Sequence, residues 1–257
     1  FSFIDSLLTV RKSGTTALKE FLSLHPQIRT NRFESGYFIR EDAYREGLQS
    51  FLDSLPVRAN GSKVVIKEAE FFHRPISALR IAAISPKTKI IAIFRDPVRR
   101  LLSDYLFMQR YGQAPNAREK TMSFPDLVLQ SDSSSINSSW GCVSRSIYAQ
   151  HFHNWLQSFP RQQILLVDGD RFQMDNPAEI LQGIERFLGI EPYLKEEHFL
   201  YSPTKGFYCS RVKGCLKGNK GHEPIALTPE LENNLRSFFK PYNEAFYEMS
   251  QVDFGWE

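Results

Sequence analysis

The run Ile90-Ile91-Ala92-Ile93-Phe94 is continuously apolar. A strand open to water on one face alternates apolar with polar residues, so an unbroken run reads as a strand covered on both faces. Ile164-Leu165-Leu166-Val167 repeats the pattern, Lys63-Val64-Val65-Ile66 is a shorter β-branched version, and Leu7, Leu8 and Val10 supply an early one. Between these runs the periodicity turns helical. Ala17, Leu18, Phe21, Leu22 and Leu24 fall on one side, and residues 75–83 carry Ile76, Leu79, Ile81 and Ala82. A helix opening at Pro97 has Leu101, Leu102, Tyr105 and Met108 on its apolar face. Further helices are expected over 147–159, stopped before Pro160, and over 177–188, ended by Gly189. Two helical segments, 231–239 and 241–249, close the chain on this reading. Strands separated by helices require parallel crossovers. The expected fold is therefore α/β, with a central, mostly parallel sheet flanked by helices, and residues 1–257 as a single domain.

In such sheets ligands lie beyond the carboxyl ends of the strands. Lys12, Lys67 and Arg95 each closely follow a strand and are expected there. The first strand ends in Lys12-Ser13-Gly14-Thr15-Thr16, and a helix follows at once. Strand, small-residue turn and helix aim backbone N–H groups at a phosphate. The nucleotide-triphosphatase loop needs Gly-x-x-x-x-Gly-Lys-Ser/Thr, whereas this Lys precedes a single Gly by two positions. The turn suits a phosphate-bearing donor other than a magnesium-bound triphosphate, in a P-loop-like three-layer fold. A Ser-Gly-Thr turn that only caps a helix is also common.

Bulk properties narrow the class. The composition, 42% hydrophobic and 24% charged, is that of a globular protein. A net charge of +3 gives no general attraction for polyanions, so nucleic acid is not an expected partner and a basic groove would be local. No apolar run approaches the length that spans a bilayer, about 18 residues. The chain starts at Phe1 without a Met and reads as a fragment or mature domain. Of three cysteines, Cys209 and Cys215 are close and Cys142 is distant, which offers no paired metal-ligand spacing. A Cys209–Cys215 disulfide would contribute about 2 kcal/mol by loop entropy. With the sequons at Asn60 and Asn137, the cysteine pair favours an oxidising compartment.

The second motif is Arg95-Asp96-Pro97-Val98-Arg99-Arg100-Leu101-Leu102-Ser103-Asp104-Tyr105, with Arg95 leaving a strand and Ser103 two turns into a helix. An Arg fork beside a hydroxyl suits a terminal phosphate. With both motifs in this order the chain resembles the sulfotransferase superfamily, whose donor is 3′-phosphoadenylyl sulfate. Lys12 to Thr16 looks like its 5′-phosphosulfate loop, and Arg95 with Ser103 like its 3′-phosphate site. Over nearly the whole chain the resemblance is to the heparan sulfate sulfotransferases, especially the glucosaminyl 3-O-sulfotransferases and the N-sulfotransferase domain. It is carried by residues 10–18, Leu24-His25-Pro26, Ile147-Tyr148-Ala149 with Asn154-Trp155-Leu156, Val167-Asp168-Gly169-Asp170-Arg171, Thr204 to Cys209 with Cys215, and Asp253-Phe254-Gly255-Trp256.

The resemblance implies transfer of a sulfuryl group to a glucosamine unit of a heparan sulfate-like glycosaminoglycan, most simply at the 3-hydroxyl. Lys12 would stabilise the leaving-group oxygen, Glu34 would act as base, and Lys67 would face the transferred group. Ser13, Gly14, Thr15, Thr16, Arg95, Ser103, Tyr208, Lys220, Gly221 and His222 would hold the donor, with no metal required. Arg32, Tyr37, Glu68, Glu70, Trp140 and Arg145 join Glu34 and Lys67 on the acceptor side. The family's disulfide loop implies the Cys209–Cys215 pairing. Its biology implies the Golgi lumen, as the luminal domain of a type II membrane protein whose anchor this fragment lacks.

The chain departs from the family's pattern at several points. Gly36 stands where the family has His or Gln, and two residues are inserted between Glu34 and Gly47. Lys67-Glu68-Ala69-Glu70 replaces Lys-Thr/Ser-Pro/Ala, and Lys220-Gly221-His222 replaces Lys-Gly-Arg at a spacing one residue short. Glu68 and Glu70 would repel a heavily sulfated sugar and are rivals of Glu34 for the base. Alternative readings are an N-sulfotransferase or other glycan sulfotransferase, a P-loop kinase-like phosphotransferase, and a heparin-binding module without turnover.

Overall fold

A computed structural model describes residues 4–112, 116–131, 135–216 and 225–257. The chain runs through β1 (Ser6–Thr9), α1 (Thr15–Leu22), β2 (Ile28–Thr30), α2 (Glu41–Arg45), α3 (Leu48–Ser54), β3 (Lys63–Lys67), α4 (Pro75–Ile84), β4 (Lys89–Phe94) and α5 (Pro97–Tyr111). Short helices α6 (Ala117–Thr121), α7 (Phe124–Val128) and α8 (Gly141–Ser144) precede α9 (Tyr148–Ser158). Then come β5 (Ile164–Asp168), α10 (Gly169–Met174), α11 (Ala178–Leu188), β6 (Phe199–Ser202), β7 (Phe207–Ser210) and α12 (Pro229–Ser250). The chain divides into two compact units, Phe1–Phe94 with Asn154–Lys220, and Arg95–His153 with Gly221–Glu257.

The first unit holds a five-stranded sheet in the order β2-β3-β1-β4-β5, and every pairing is parallel. The continuous apolar runs are explained by cover on both faces. On one face Leu8, Val65, Ile91, Ile93 and Val167 pack with Leu18, Phe21 and Leu22 of α1 and with Leu181, Ile184 and Leu188 of α11. On the other, Phe72 meets Phe94 edge-on and lies parallel to Trp155, whose indole N–H donates to the Phe72 carbonyl at 2.9 Å. An antiparallel hairpin of β6 and β7 completes this unit; its pairing was not legible in the sequence. Cys209 and Cys215 are bonded, with Cα atoms 4.5 Å apart, and Cys142 is a free, buried thiol.

The second unit is helical, with a core of Val98, Leu101, Met108, Phe124, Leu127, Trp140, Ile147, Leu235 and Phe239. Asp96 caps α5, its carboxylate accepting from the Arg99 N–H at 2.9 Å. A buried charge network ties α5 to the segment around α8. Asp104, wholly buried, accepts from Arg100 at 3.1 Å and from Arg145 at 2.8 Å. Arg100, 1% exposed, also donates to Ser146 and to the Cys142 carbonyl. The two C-terminal segments expected from the sequence are one helix, α12, which runs through Pro241. A proline inside a helix removes one hydrogen bond and costs about 3 kcal/mol. Here Leu231, Leu235 and Phe239 before it and Asn243 and Phe246 after it are all buried, and that shared packing offsets the break.

Asp104→Ala would strand Arg100 in the core without its counter-charge. We expect a loss of about 3–5 kcal/mol in urea unfolding. Arg145→Ala, at the edge of the network, should lose much less, and equal losses would contradict this account.

Candidate active site

The loop after β1 has an unusual backbone. Val10, Lys12 and Gly14 take φ of 85°, 66° and 108°, while Arg11 and Ser13 between them stay at negative φ. A β-branched residue at positive φ is a genuine outlier and costs of order 1–3 kcal/mol. Alternation of right- and left-handed residues turns successive N–H groups toward one side, which makes an anion-binding concavity. Gly14 is required: a Cβ there would sit 3.4 Å from Ile93 Cδ1, on a backbone that side chains rarely adopt. Gly14 is also the N-cap of α1, with no side-chain cap and no acidic residue in the first turn. The first N–H groups of the helix therefore keep their partial positive charge for an incoming anion. Ser13 Oγ is buried and has no hydrogen-bond partner among the described residues. Thr15 is buried and Thr16 half-buried at the start of α1.

Parallel pairing of β1 with β3, in the register Leu8 to Lys67, places the ends of both strands side by side. Thr9 Oγ1 ties them, donating to the Glu68 carbonyl at 2.9 Å and accepting from the Phe72 N–H at 3.1 Å. The segment after β2 joins through Asn31, whose amide bonds the Lys67 backbone N–H at 2.8 Å and carbonyl at 3.0 Å. Glu34 then reaches across. One carboxylate oxygen is paired with Lys67 Nζ and the other accepts from the Ala69 N–H at 2.8 Å. Glu34, Lys67 and Glu68 are thus brought together, with Glu34 37% exposed and Glu68 only 2%.

Glu68 takes two bonds from Ser35, from its N–H at 2.6 Å and its hydroxyl at 2.8 Å, and one from the Gly36 N–H at 3.3 Å. Burial pushes its carboxyl up to about 7, against the pull of the Ser35 and Gly36 bonds and with the nearby charge of Glu34 adding to the push. Glu70 is paired with Arg11 of the phosphate-type loop and lies 3.2 Å from His73 Nε2. Burial alone would raise the Glu70 carboxyl, but the His73 and Arg11 partners outweigh it and hold it down to about 2. Its charge is thus already matched within the protein, which weakens the repulsion of a sulfated sugar expected from the sequence.

The other expected residues are more scattered. Arg32 is exposed in the segment just before Glu34. Tyr37 is buried, stacked on Phe51 with ring centroids 4.9 Å apart. Tyr208, on β7 beside Cys209, packs edge-on to Tyr201. In the second unit Arg95 follows β4 directly, and its carbonyl accepts from the Tyr148 hydroxyl at 2.9 Å. Ser103 is half-buried on α5. Trp140 is core, its indole N–H donating to Glu119 at 2.8 Å, and Arg145 belongs to the Asp104 network. Lys220, Gly221 and His222 lie outside the described residues. Thr9, Asn31 and Ser35, which hold the site together, were not anticipated. Their roles depend on strand register, which no local pattern reveals. Among the described residues no helix is long and apolar enough to cross a membrane.

The profile of the sulfotransferase domain family matches residues 6–250. Mouse heparan sulfate glucosamine 3-O-sulfotransferase 3B1 is 35% identical over 258 residues, which cover 98% of this chain and 64% of that protein. The human heparan sulfate glucosamine 3-O-sulfotransferase 6 is 34% identical over 256 residues, covering 97% of this chain and 72% of that protein. This chain thus spans just under two thirds of the first of these relatives. Among solved structures, a sulfotransferase from Alicyclobacillus acidocaldarius superposes with a TM-score of 0.70 at 19% identity, covering 97% of this chain and 96% of that one. A mouse sulfotransferase solved in complex with PAP gives 0.56 at 17% identity, covering 97% and 86%. The structural matches share the central parallel sheet flanked by helices, and the sequence matches run nearly the full length of the chain, which therefore belongs to the sulfotransferase family alongside the heparan sulfate glucosamine 3-O-sulfotransferases.

Proposed function

We propose that this chain transfers a sulfuryl group from 3′-phosphoadenylyl sulfate to the 3-hydroxyl of a glucosamine unit in a heparan sulfate-like polysaccharide. The observation that carries the donor assignment is the loop from Val10 to Gly14. Its alternating backbone, the uncapped start of α1 and the buried Ser13 hydroxyl, without a partner among the described residues, support a receptor for a phosphate-type anion. Arg95 and Ser103 are assigned to the 3′-phosphate, and Tyr208 to the adenine. The names of the relatives support the acceptor. The Golgi lumen is the proposed compartment, and the Cys209–Cys215 bridge supports it.

In the proposed reaction the acceptor oxygen attacks sulfur in line with the leaving group. The new O–S bond forms as the bond from sulfur to the 5′-phosphate oxygen breaks. Glu34 takes the hydroxyl proton, and Lys12 meets the charge that builds on the departing oxygen. Lys67 is assigned to the transferred sulfuryl group, and its pairing with Glu34 supports that role. Of the three rival carboxylates, Glu34 has the exposure a base needs. Glu68 is enclosed and its oxygens already accept from Ser35 and Gly36, while Glu70 is committed to Arg11 and His73.

The free nucleotide 3′-phosphoadenosine 5′-phosphate should bind without added magnesium. Arg95→Ala should weaken it by about 1.5–3 kcal/mol, the scale of a charge-assisted hydrogen bond. Adenosine 5′-phosphosulfate, lacking the 3′-phosphate, should lose a similar amount. Equal calorimetric affinity for the two nucleotides, or a requirement for magnesium, would overturn the donor assignment.

Glu34→Gln should cut sulfate transfer to heparan sulfate by about 10²–10⁴-fold, the usual worth of a general base. Its affinity for 3′-phosphoadenosine 5′-phosphate should stay nearly unchanged, whereas Lys12→Ala should weaken both. Radiolabelled transfer on a panel of glycans, with the product mapped by disaccharide analysis, reads the position sulfated. An active Glu34→Gln enzyme would exclude Glu34 as the base.

A further inference from the structure

We infer that Glu68 is a positioning residue: its buried carboxylate holds the turn that carries Glu34 and so fixes the aim of Glu34 at the acceptor. The inference rests on the reading of Glu34 as the base. Glu68 is anchored at both ends of its own backbone. Its N–H donates to the Leu8 carbonyl at 3.0 Å, and its carbonyl accepts from Thr9 Oγ1 at 2.9 Å. The side chain therefore starts from a fixed point at the edge of the sheet. From there it gathers the Ser35 N–H, the Ser35 hydroxyl and the Gly36 N–H, donors from the residues immediately after Glu34. Gly36 sits at φ 63°, a conformation glycine adopts freely, and this lets consecutive N–H groups converge on one anion.

The arrangement explains why an acid stands in so enclosed a place. A neutral apolar side chain would leave two backbone N–H groups without an acceptor, and buried donors left unmade are costly. The second anchor of the turn is Glu34 itself, through Lys67 and the Ala69 N–H. Among the described residues, the charged groups at this turn include Glu34, Lys67, Glu68 and Arg40, whose side chain packs beside Gly36 while its guanidinium pairs with Asp42. Loss of the Glu68 contacts would leave Glu34 held from before by Asn31, whose amide donates to the Phe33 carbonyl at 2.7 Å, and after it by little besides its own carboxylate, the group that has to let go in order to accept a proton. At 2% exposure Glu68 cannot touch a polysaccharide, so its effect must pass through the turn.

The position also ties the site to pH. With burial holding the Glu68 carboxyl up to about 7, acidification through neutrality protonates it. One acceptor oxygen then becomes a hydroxyl and the turn loses part of its hold. The sign for folding is opposite. The raised value means the folded chain binds this proton more readily than the unfolded one. The Glu68 contribution to stability is therefore best below the unfolded value, near 4.5, and is lost as pH rises through about 7.

The test compares the wild type, Glu34→Gln, Glu68→Gln and Glu68→Ala by steady-state transfer to heparan sulfate between about pH 6 and 8. Gln keeps the shape of Glu68 but presents an NH₂ donor to the Gly36 N–H. Glu68→Gln should lower kcat by about tenfold and Glu68→Ala by about a hundredfold, the scale of a reacting group slightly misplaced. Acceptor KM and 3′-phosphoadenosine 5′-phosphate affinity should hold within about twofold. In Glu68→Gln the rise of activity through neutral pH should vanish, and thermal stability should lose the corresponding fall. Amide NMR separates this inference from the base assignment. The Ser35 and Gly36 N–H shifts should titrate near pH 7 in the wild type, somewhat lower in Glu34→Gln, which lacks the Glu34 charge, and stay flat in Glu68→Gln. Wild-type kcat with an unchanged pH profile in Glu68→Gln would overturn the inference. So would amides that do not titrate, or a Glu68→Gln enzyme as inactive as Glu34→Gln at every pH.

Discussion

The parallel pairing of β1 with β3 is the constraint on which the site depends. Leu8 stands level with Lys67, so the loop after β1 and the segment after β3 leave the sheet as neighbours. Thr9 makes that adjacency rigid by bonding the backbone at Glu68 and Phe72. Asn31 does the same for the segment after β2, bonding both backbone polar groups of Lys67. Residues from three separate stretches of sequence, near positions 12, 34 and 67, thereby share one edge of the sheet. A slip of one residue would turn Val64, Val65 and Ile66 to the wrong faces, and the two-sided core forbids it.

Charge at this edge is balanced residue by residue. Arg11 meets Glu70, and Lys67 meets Glu34. A site for an anionic donor and an anionic polysaccharide, as proposed, would ordinarily collect uncompensated cations. Here the cations are matched by internal carboxylates instead. On the proposed reading, Glu34 would cease to neutralise Lys67 once it had taken the acceptor's proton, and the ammonium would become available to the transferring group. Proton uptake and electrostatic stabilisation are coupled through one ion pair in this scheme.

Much of the fold was legible because burial on two faces leaves a plain mark. The runs at 63–66, 90–94 and 164–167 became β3, β4 and β5, and the loop at Lys12 lies between a strand and a helix as its residues demanded. The short β2, the hairpin of β6 and β7 and the helices between β2 and β3 were not legible, since none has a periodicity long enough to read. α12 was read as two pieces because Pro241 is a strong local stop signal that tertiary packing overrides. At the site, the motif residues were legible as types but not as partners. Glu68 and Glu70 look alike in sequence, yet one is enclosed by a turn and the other is paired with Arg11. Trp140 and Arg145 carry side chains common in sugar sites, and only their contacts with Glu119 and Asp104 reveal structural duties.

The strained loop follows from the same architecture. Two residues with side chains, Val10 and Lys12, sit at positive φ within a few residues of each other, a local cost the chain bears only if the surroundings impose it. They do so from both ends. β1 is the central strand, paired on either side, so Thr9 cannot shift to relieve Val10. Beyond the loop, α1 is fixed by Leu18, Phe21 and Leu22 in the core, and Gly14 rests against Ile93. The loop is therefore held in this form by the fold itself, and any anion it takes would meet it already shaped. A relaxed loop would have to be ordered at the moment of binding, with the entropy of several residues set against the affinity. Burying the anchors on both sides moves that cost into folding, where a large core carries it.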